Sequence, residues 1–200
     1  MESGYNMVSI NTEQSLSFWS KYRMLLFLKK RSYDIVKMFI NQLALSIFGN
    51  ALALATGETM SGLRIATSLF SVGFYLFLIY IMLWDLGAKE RHRLERGEEG
   101  QTKLSGLYMA LVASAPNLLL AILVAAGTFL PALGNVGGAC KLIALFLEGM
   151  YTGLLAIPVG GTPLHSTWFV YFLLPIPLIA TATVAYLAGT KEFRIFGGKR

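Results

Sequence analysis

Charge is scarce in this sequence. Lys, Arg, Asp and Glu make up 14% of the 200 residues, hydrophobic residues make up 55%, and mean hydropathy is +0.59. A soluble domain carries about 25% charged residues because its surface must be wetted. The deficit excludes an ordinary water-soluble fold and points to a chain whose surface meets hydrocarbon. Cysteine is nearly absent. The single Cys140 excludes an intramolecular disulfide, a CxxC redox pair and a cysteine-rich zinc site. The histidines, His92 and His165, are isolated, and isolated histidines are ordinarily surface residues. There is no HExxH, no Gly-x-Ser-x-Gly and no metal-ligand spacing, so no cofactor, metal or catalytic residue is assigned. A triad drawn through His165 and Glu148 lacks a nucleophile signature. A basic polar domain interleaved with aromatics is also missing, so the net charge of +6 does not point to nucleic acid.

Long apolar runs are what the chain has. A membrane-spanning helix needs about 20 apolar residues. Four runs qualify, at 35–56, 63–84, 107–130 and 168–189. A fifth, 141–157, is short and contains Lys141 and Glu148. The expected fold is all-α, a polytopic transmembrane helix bundle. It has about four spans, one re-entrant or interfacial segment at 141–157, and an N-terminal interfacial helix. The expected layout is a cytoplasmic N-terminal segment at 1–34, the bundle at 35–189 and a basic tail at 190–200. Within residues 1–34, Leu16, Trp19, Tyr22, Leu25 and Leu26 recur at helical spacing before Lys29-Lys30-Arg31, a pattern that suits a helix lying in the membrane interface. The apolar run Met24–Leu28 is shorter than the about 7–15 residues of a signal-peptide core, so no cleaved leader is expected.

The stretch from Asp85 to Lys103 cuts the chain into two hydrophobic halves. Five basic residues (Lys89, Arg91, Arg93, Arg96, Lys103) stand there beside five acidic ones (Asp85, Glu90, Glu95, Glu98, Glu99). It reads as a solvated cytoplasmic loop, or as a docking surface for a membrane or cytoplasmic protein partner. Of the 17 basic residues, all but Arg64 and Lys141 lie in the N-terminal segment, this loop or the tail. Basic residues flanking spans favour the cytoplasmic side. Four spans put all three basic segments there, with both termini in the cytoplasm and the bilayer of the cell membrane as the chief partner. Segment 141–157 must then begin and end on the outer side, which would expose Cys140 to an impermeant maleimide.

Polar residues inside the spans are the candidate site: Asn41, Gln42 and Asn50 in the first, Asn117 beside the kink expected at Pro116, and Glu148 in the short segment. Gln42, Ser46, Gly49, Ala53 and Gly57 share a helix face. Such a face serves either helix packing or the lining of a polar path. Ala110, Ser114, Asn117, Ala121 and Thr128 form a similar face in the third span. An ionisable group in an apolar segment is a functional candidate by default. Glu148 is open to three roles, carrying a proton, pairing with Lys141 or binding a cation, against a plain polar face touching water.

Trp84-Asp-Leu-Gly-Ala-Lys-Glu, Ala115-Pro-Asn117 and Ala185-Tyr-Leu-Ala-Gly-Thr-Lys191 resemble small multi-pass bacterial membrane proteins of uncharacterised activity. The resemblance covers these three short patches and implies no activity. Size, hydrophobicity and Ala51-x-x-x-Ala55 are similar to the substrate-binding subunits of energy-coupling-factor vitamin transporters, which have six spans where this chain has fewer. The expected function is a non-enzymatic accessory or transport-related membrane subunit. The alternatives are a small-solute transporter or substrate-binding subunit and, third, a membrane-embedded enzyme.

Overall fold

The computed structural model describes residues 3–56, 61–98 and 104–193, with side chains for 26–56, 62–98 and 104–193. The tip of the first hairpin loop, residues 99–103 of the charged segment and the end of the tail lie outside the described residues.

The fold is an all-α bundle. Helix α1 is Ser3–Thr56 and α2 is Ser61–Glu95. Helices α3 (Ser105–Ala113) and α4 (Ala115–Phe129) form a pair bent by 51°. A 3-10 turn at Pro131–Leu133 leads into α5 (Gly134–Leu147). After Glu148, a 3-10 turn at Gly149–Tyr151 and the short α6 (Thr152–Leu155) follow, with a bend of 79° at the break. Strands β1 (Pro158–Val159) and β2 (Thr162–Pro163) pair antiparallel around Gly160-Gly161, both at positive φ. Helices α7 (Val170–Leu173) and α8 (Ile176–Thr190) complete the bundle. Three helical stretches are long and apolar enough to cross a membrane by themselves: Leu26–Thr56, Gly62–Glu95 and Val170–Thr190. The two bent pairs pass the same test jointly.

Three boundaries differ from expectation: the short apolar segment begins as helix at Gly134, seven residues before 141, and the other two have local reasons. Helix α1 runs through residues 29–34 without a break, joining the expected interfacial helix to the first span. Neither Gly nor Pro occurs between Tyr5 and Phe48, so nothing in the sequence stops the helix. The side chains of the expected interfacial stripe before Leu26 lie outside the described residues. Helix α2 likewise continues into the charged stretch as far as Glu95, and ends at Gly97, whose φ of 77° suits glycine. The kink expected at Pro116 is present, as the α3–α4 bend.

One end of the bundle collects the charged part of α2, the start of α3 and the end of α8. Call it the charged end. Arg31 and Glu90 form a buried ion pair there at 2.8 Å, with relative exposures of 7% and 2%. Asp34 lies 3.6 Å from the same guanidinium. A methyl group on Gly87 would strike the Tyr186 carbonyl, and one on Gly189 the Trp84 carbonyl, so α2 and α8 touch backbone to backbone. Gly106 is equally confined: its methyl would lie 2.6 Å from Tyr186 Cβ. Trp84 Nε1 donates to the Phe193 carbonyl at 2.7 Å. Beyond the ion pair, Glu98 accepts from Arg93 and Arg96, which hold its carboxyl below the usual range.

The opposite end is built around the α5–α6 hairpin. Gly137 of α5 packs on Gly127 of α4, its methyl position 2.6 Å from Gly127 Cα. From there α5 descends along α1. Phe146, Leu147 and Glu148 meet Asn50, Ser46 and Gln42 in turn. The chain then reverses: Met150 lies on Gly49 and Gly153 on Arg64 and Ser68, back towards the start of α2. The segment therefore enters and leaves at one end, as a re-entrant hairpin. Its tip at Gln42 lies about 21 Å along α1 from Thr56.

Candidate functional site

A helix break inside an apolar bundle frees backbone carbonyls, and each needs a donor. The break at Glu148 frees those of Phe146 and Leu147. Helix α1 supplies the donors from one face. Asn50 Nδ2 donates to the Phe146 carbonyl at 3.1 Å. Ser46 Oγ donates to the Leu147 carbonyl. Gln42 Nε2 lies 3.5 Å from that same oxygen and donates to Glu148 Oε1 at 3.1 Å. Gly49 and Gly149 permit the close approach: a methyl on Gly49 would stand 2.5 Å from Met150 Cα. Thr152 Oγ1 bridges the returning limb to Gly149 O at 2.7 Å and Asn50 Oδ1 at 3.3 Å. Gly153 N donates to Ser68 Oγ of α2 at 2.7 Å.

Glu148 is 4% exposed and its hydrogen-bond partner is Gln42, not Lys141. Tyr151, also buried at the tip, donates to the Leu174 carbonyl at 3.3 Å. Of the sequence candidates, Gln42, Asn50 and Glu148 are thus brought together. Asn41 is half-buried with no hydrogen bond among the described residues. Asn117 is buried at the α3–α4 bend, its Oδ1 without a partner, away from the hairpin tip. The face Ala110, Ser114, Asn117 and Ala121 is buried as its spacing predicts, whereas Thr128 at its end is exposed. Ala51 and Ala55 are exposed, so that small-residue motif packs on no other helix here. Cys140 is 8% exposed, which by itself protects its thiol from a maleimide on either side.

Beside the hydrogen-bonded joint is an open cleft of about 360 Å³. Asn50, Arg64, Thr152 and His165 provide its polar lining, and Leu145, Phe146 and Leu155 much of its apolar wall. Its size falls at the lower end of small-ligand sites, which run to about 300–1,000 Å³. Neither Arg64 nor His165 was a site candidate in the sequence, where Arg64 was only a basic residue outside the three basic segments and His165 an isolated imidazole. Elsewhere among the described residues, His92, Glu95 and Glu192 offer ligand atoms within 4.8 Å of one another, but all are exposed. Arg91 already pairs with Glu95 at 2.8 Å and with Glu192 at 3.6 Å, so the group is accounted for as a surface ion-pair network.

The helices and the site define a membrane protein of the all-α bundle class, with a hydrogen-bonded re-entrant joint and a cleft next to it. Compared with family models, with curated proteins and with solved structures, the chain matches none.

Proposed function

We propose that this chain is a multi-pass, non-enzymatic subunit of a membrane assembly, accessory or transport-related, with both termini in the cytoplasm of the cell that carries it in its cell membrane. The observation that carries the reading is the fate of the polar face of α1. Gln42, Ser46 and Asn50 are engaged with the hairpin, so the face serves as a packing joint and not as an open polar path. A second observation supports the subunit half of the reading. At about 1.5 Å per residue, the 54-residue α1 is about 80 Å long, far more than an apolar layer of about 30 Å. Its helical N-terminal part, residues 3–25, is extra length that a partner could engage.

Gentle extraction of the tagged protein from its native membrane, followed by mass spectrometry, tests this. A stoichiometric membrane or cytoplasmic partner, lost when residues 1–25 are removed, is the expected result. Recovery as a monomer or homo-oligomer would overturn it. The second reading, a small-solute-binding subunit of a transporter, is favoured by the cleft at Asn50 and Arg64.

A further inference from the structure

The cleft holds a cation that no described residue neutralises. Arg64 lines it, its Nε is buried without a hydrogen-bond partner, and no carboxylate among the described residues lies within ion-pair distance. Glu148, the acidic group of the neighbouring joint, is bonded to Gln42. Arginine keeps its charge in proteins, and Arg64 is only partly exposed, with its Nε shut off from water and from any partner among the described residues. The charged end of the same bundle shows the contrast, because Arg31 there meets Glu90.

The rest of the lining suits an anion. Asn50 uses one amide hydrogen on the Phe146 carbonyl and keeps the other. His165 Nδ1, 3.2 Å from the Leu155 carbonyl, must donate to it, so Nε2 of the neutral ring is an acceptor, suited to the hydroxyl of a monohydrogen phosphate and not to a bare carboxylate oxygen. The returning limb holds Arg64 in place: Gly153 lies against the Arg64 carbonyl, closer than any side chain would allow, and bonds to Ser68 one turn on. The apolar wall of Leu145, Phe146 and Leu155 continues from these polar groups.

We propose that the cleft binds an oxyanion, a phosphate carried on a short apolar body, with the Arg64 guanidinium as its anchor. A bidentate guanidinium–oxyanion pair is the interaction that arginine's planar fork provides and lysine's ammonium does not. The same chemistry is offered by a free amphiphilic solute and by an anionic lipid headgroup at the membrane surface. The proposal is independent of whether a protein partner copurifies.

The test uses full-length protein in nanodiscs of phosphatidylcholine, with thermal unfolding followed by a thiol-reactive dye at the buried Cys140. One arm adds inorganic phosphate against chloride of equal ionic strength. The other replaces part of the lipid with phosphatidylglycerol and adds no soluble anion. The wild type is expected to unfold several degrees higher in at least one arm. A shift in the first arm identifies a free solute, and a shift confined to the second identifies a headgroup. Arg64→Gln should raise the half-saturating concentration at least about tenfold, as expected for loss of a charged hydrogen bond. Should that variant fail to fold, Ala156→Phe, which fills the cleft and spares Arg64, should abolish the shift. No shift in either arm, or equal shifts in wild type and whichever of these variants folds, overturns the proposal.

Discussion

The two ends of this bundle meet the same difficulty, polar groups in a poorly solvated place, and resolve it differently. At the charged end, opposite charges are paired and the helices are pressed together at Gly87, Gly106 and Gly189. At the hairpin end the contacts are neutral donors on freed carbonyls, no described residue pairs with Arg64, and a cleft stays open. A closed joint with matched charges holds a structure together. An open one with an unmatched charge is where a ligand completes the set.

Breaking the charged end should cost most. Removing one partner of a buried ion pair typically costs about 3–5 kcal/mol, because the other charge stays behind. Glu90→Ala should therefore lower the unfolding free energy by about 3 kcal/mol or more, tempered by Asp34, when unfolding is titrated in mixed micelles. The double variant Arg31→Met with Glu90→Leu should recover most of that loss. Single and double variants of equal cost would remove the case for a charge-matched end.

The next effect concerns the joint. Gly49→Val drives a branched side chain into the Met150 backbone and should cost about 1–3 kcal/mol, the range for overpacking. Gly73→Ala, where nothing lies within 4 Å, is the matched control and should be neutral or slightly stabilising. Similar losses in both would show that α1 and the hairpin are not in close contact.

Hydrogen bonds at the joint are smaller. Ser46→Ala leaves the Leu147 carbonyl with the longer Gln42 contact and should cost about 1 kcal/mol. Glu148→Gln keeps an oxygen for Gln42 and should change folding less than Glu148→Leu, which leaves Gln42 Nε2 buried without its carboxylate. Equal losses in the two variants would mean that the carboxyl, and not its hydrogen bond, is what the site needs.

Two measurements sharpen the comparison with little energetic effect. In a Cys140→Ser background, Val159→Cys at the exposed β-hairpin should react with an impermeant maleimide in intact cells, and Arg96→Cys only after lysis. The opposite pattern would invert the proposed orientation. At the exposed tip of the charged stretch, Arg93 and Arg96 lower the Glu98 carboxyl below its ordinary value. A depressed carboxylate pKa stabilises the fold above the unfolded-state value, about 4.3, and that contribution disappears as pH falls through the folded value. Exposure makes it slight, so Glu98→Gln should share the wild-type unfolding midpoint at pH 7, and a clear difference would give this surface pair more weight than its solvation allows.

Much of the architecture was legible in residue order. The apolar runs announce the helices, Pro116 announces the α3–α4 bend, and the shortness of 141–157 with Glu148 inside it announces a segment that turns back. These are local properties, read from length, periodicity and the backbone chemistry of proline. The continuity of α1 was legible too, in the missing Gly and Pro between Tyr5 and Phe48, but the basic cluster at residues 29–31 suggested a boundary that backbone propensity does not impose.

The site was legible in part. The face holding Gln42, Ser46 and Gly49 follows from helical spacing, and so does its choice between packing and a polar path. Residue order could not make that choice, because the partner of Gln42 lies 106 residues away and that of Arg31 lies 59 away. Arg64 and His165, a hundred positions apart in sequence, line one cleft because the α5–α6 limb returns to the start of α2. Sequence by itself determined an apolar helical chain whose charge is confined to short segments between and beside its apolar runs, since hydrophobicity and backbone propensity act over a few residues. Tertiary structure alone decided which polar groups satisfy one another and which are left for a ligand, since that depends on contacts between segments remote along the chain.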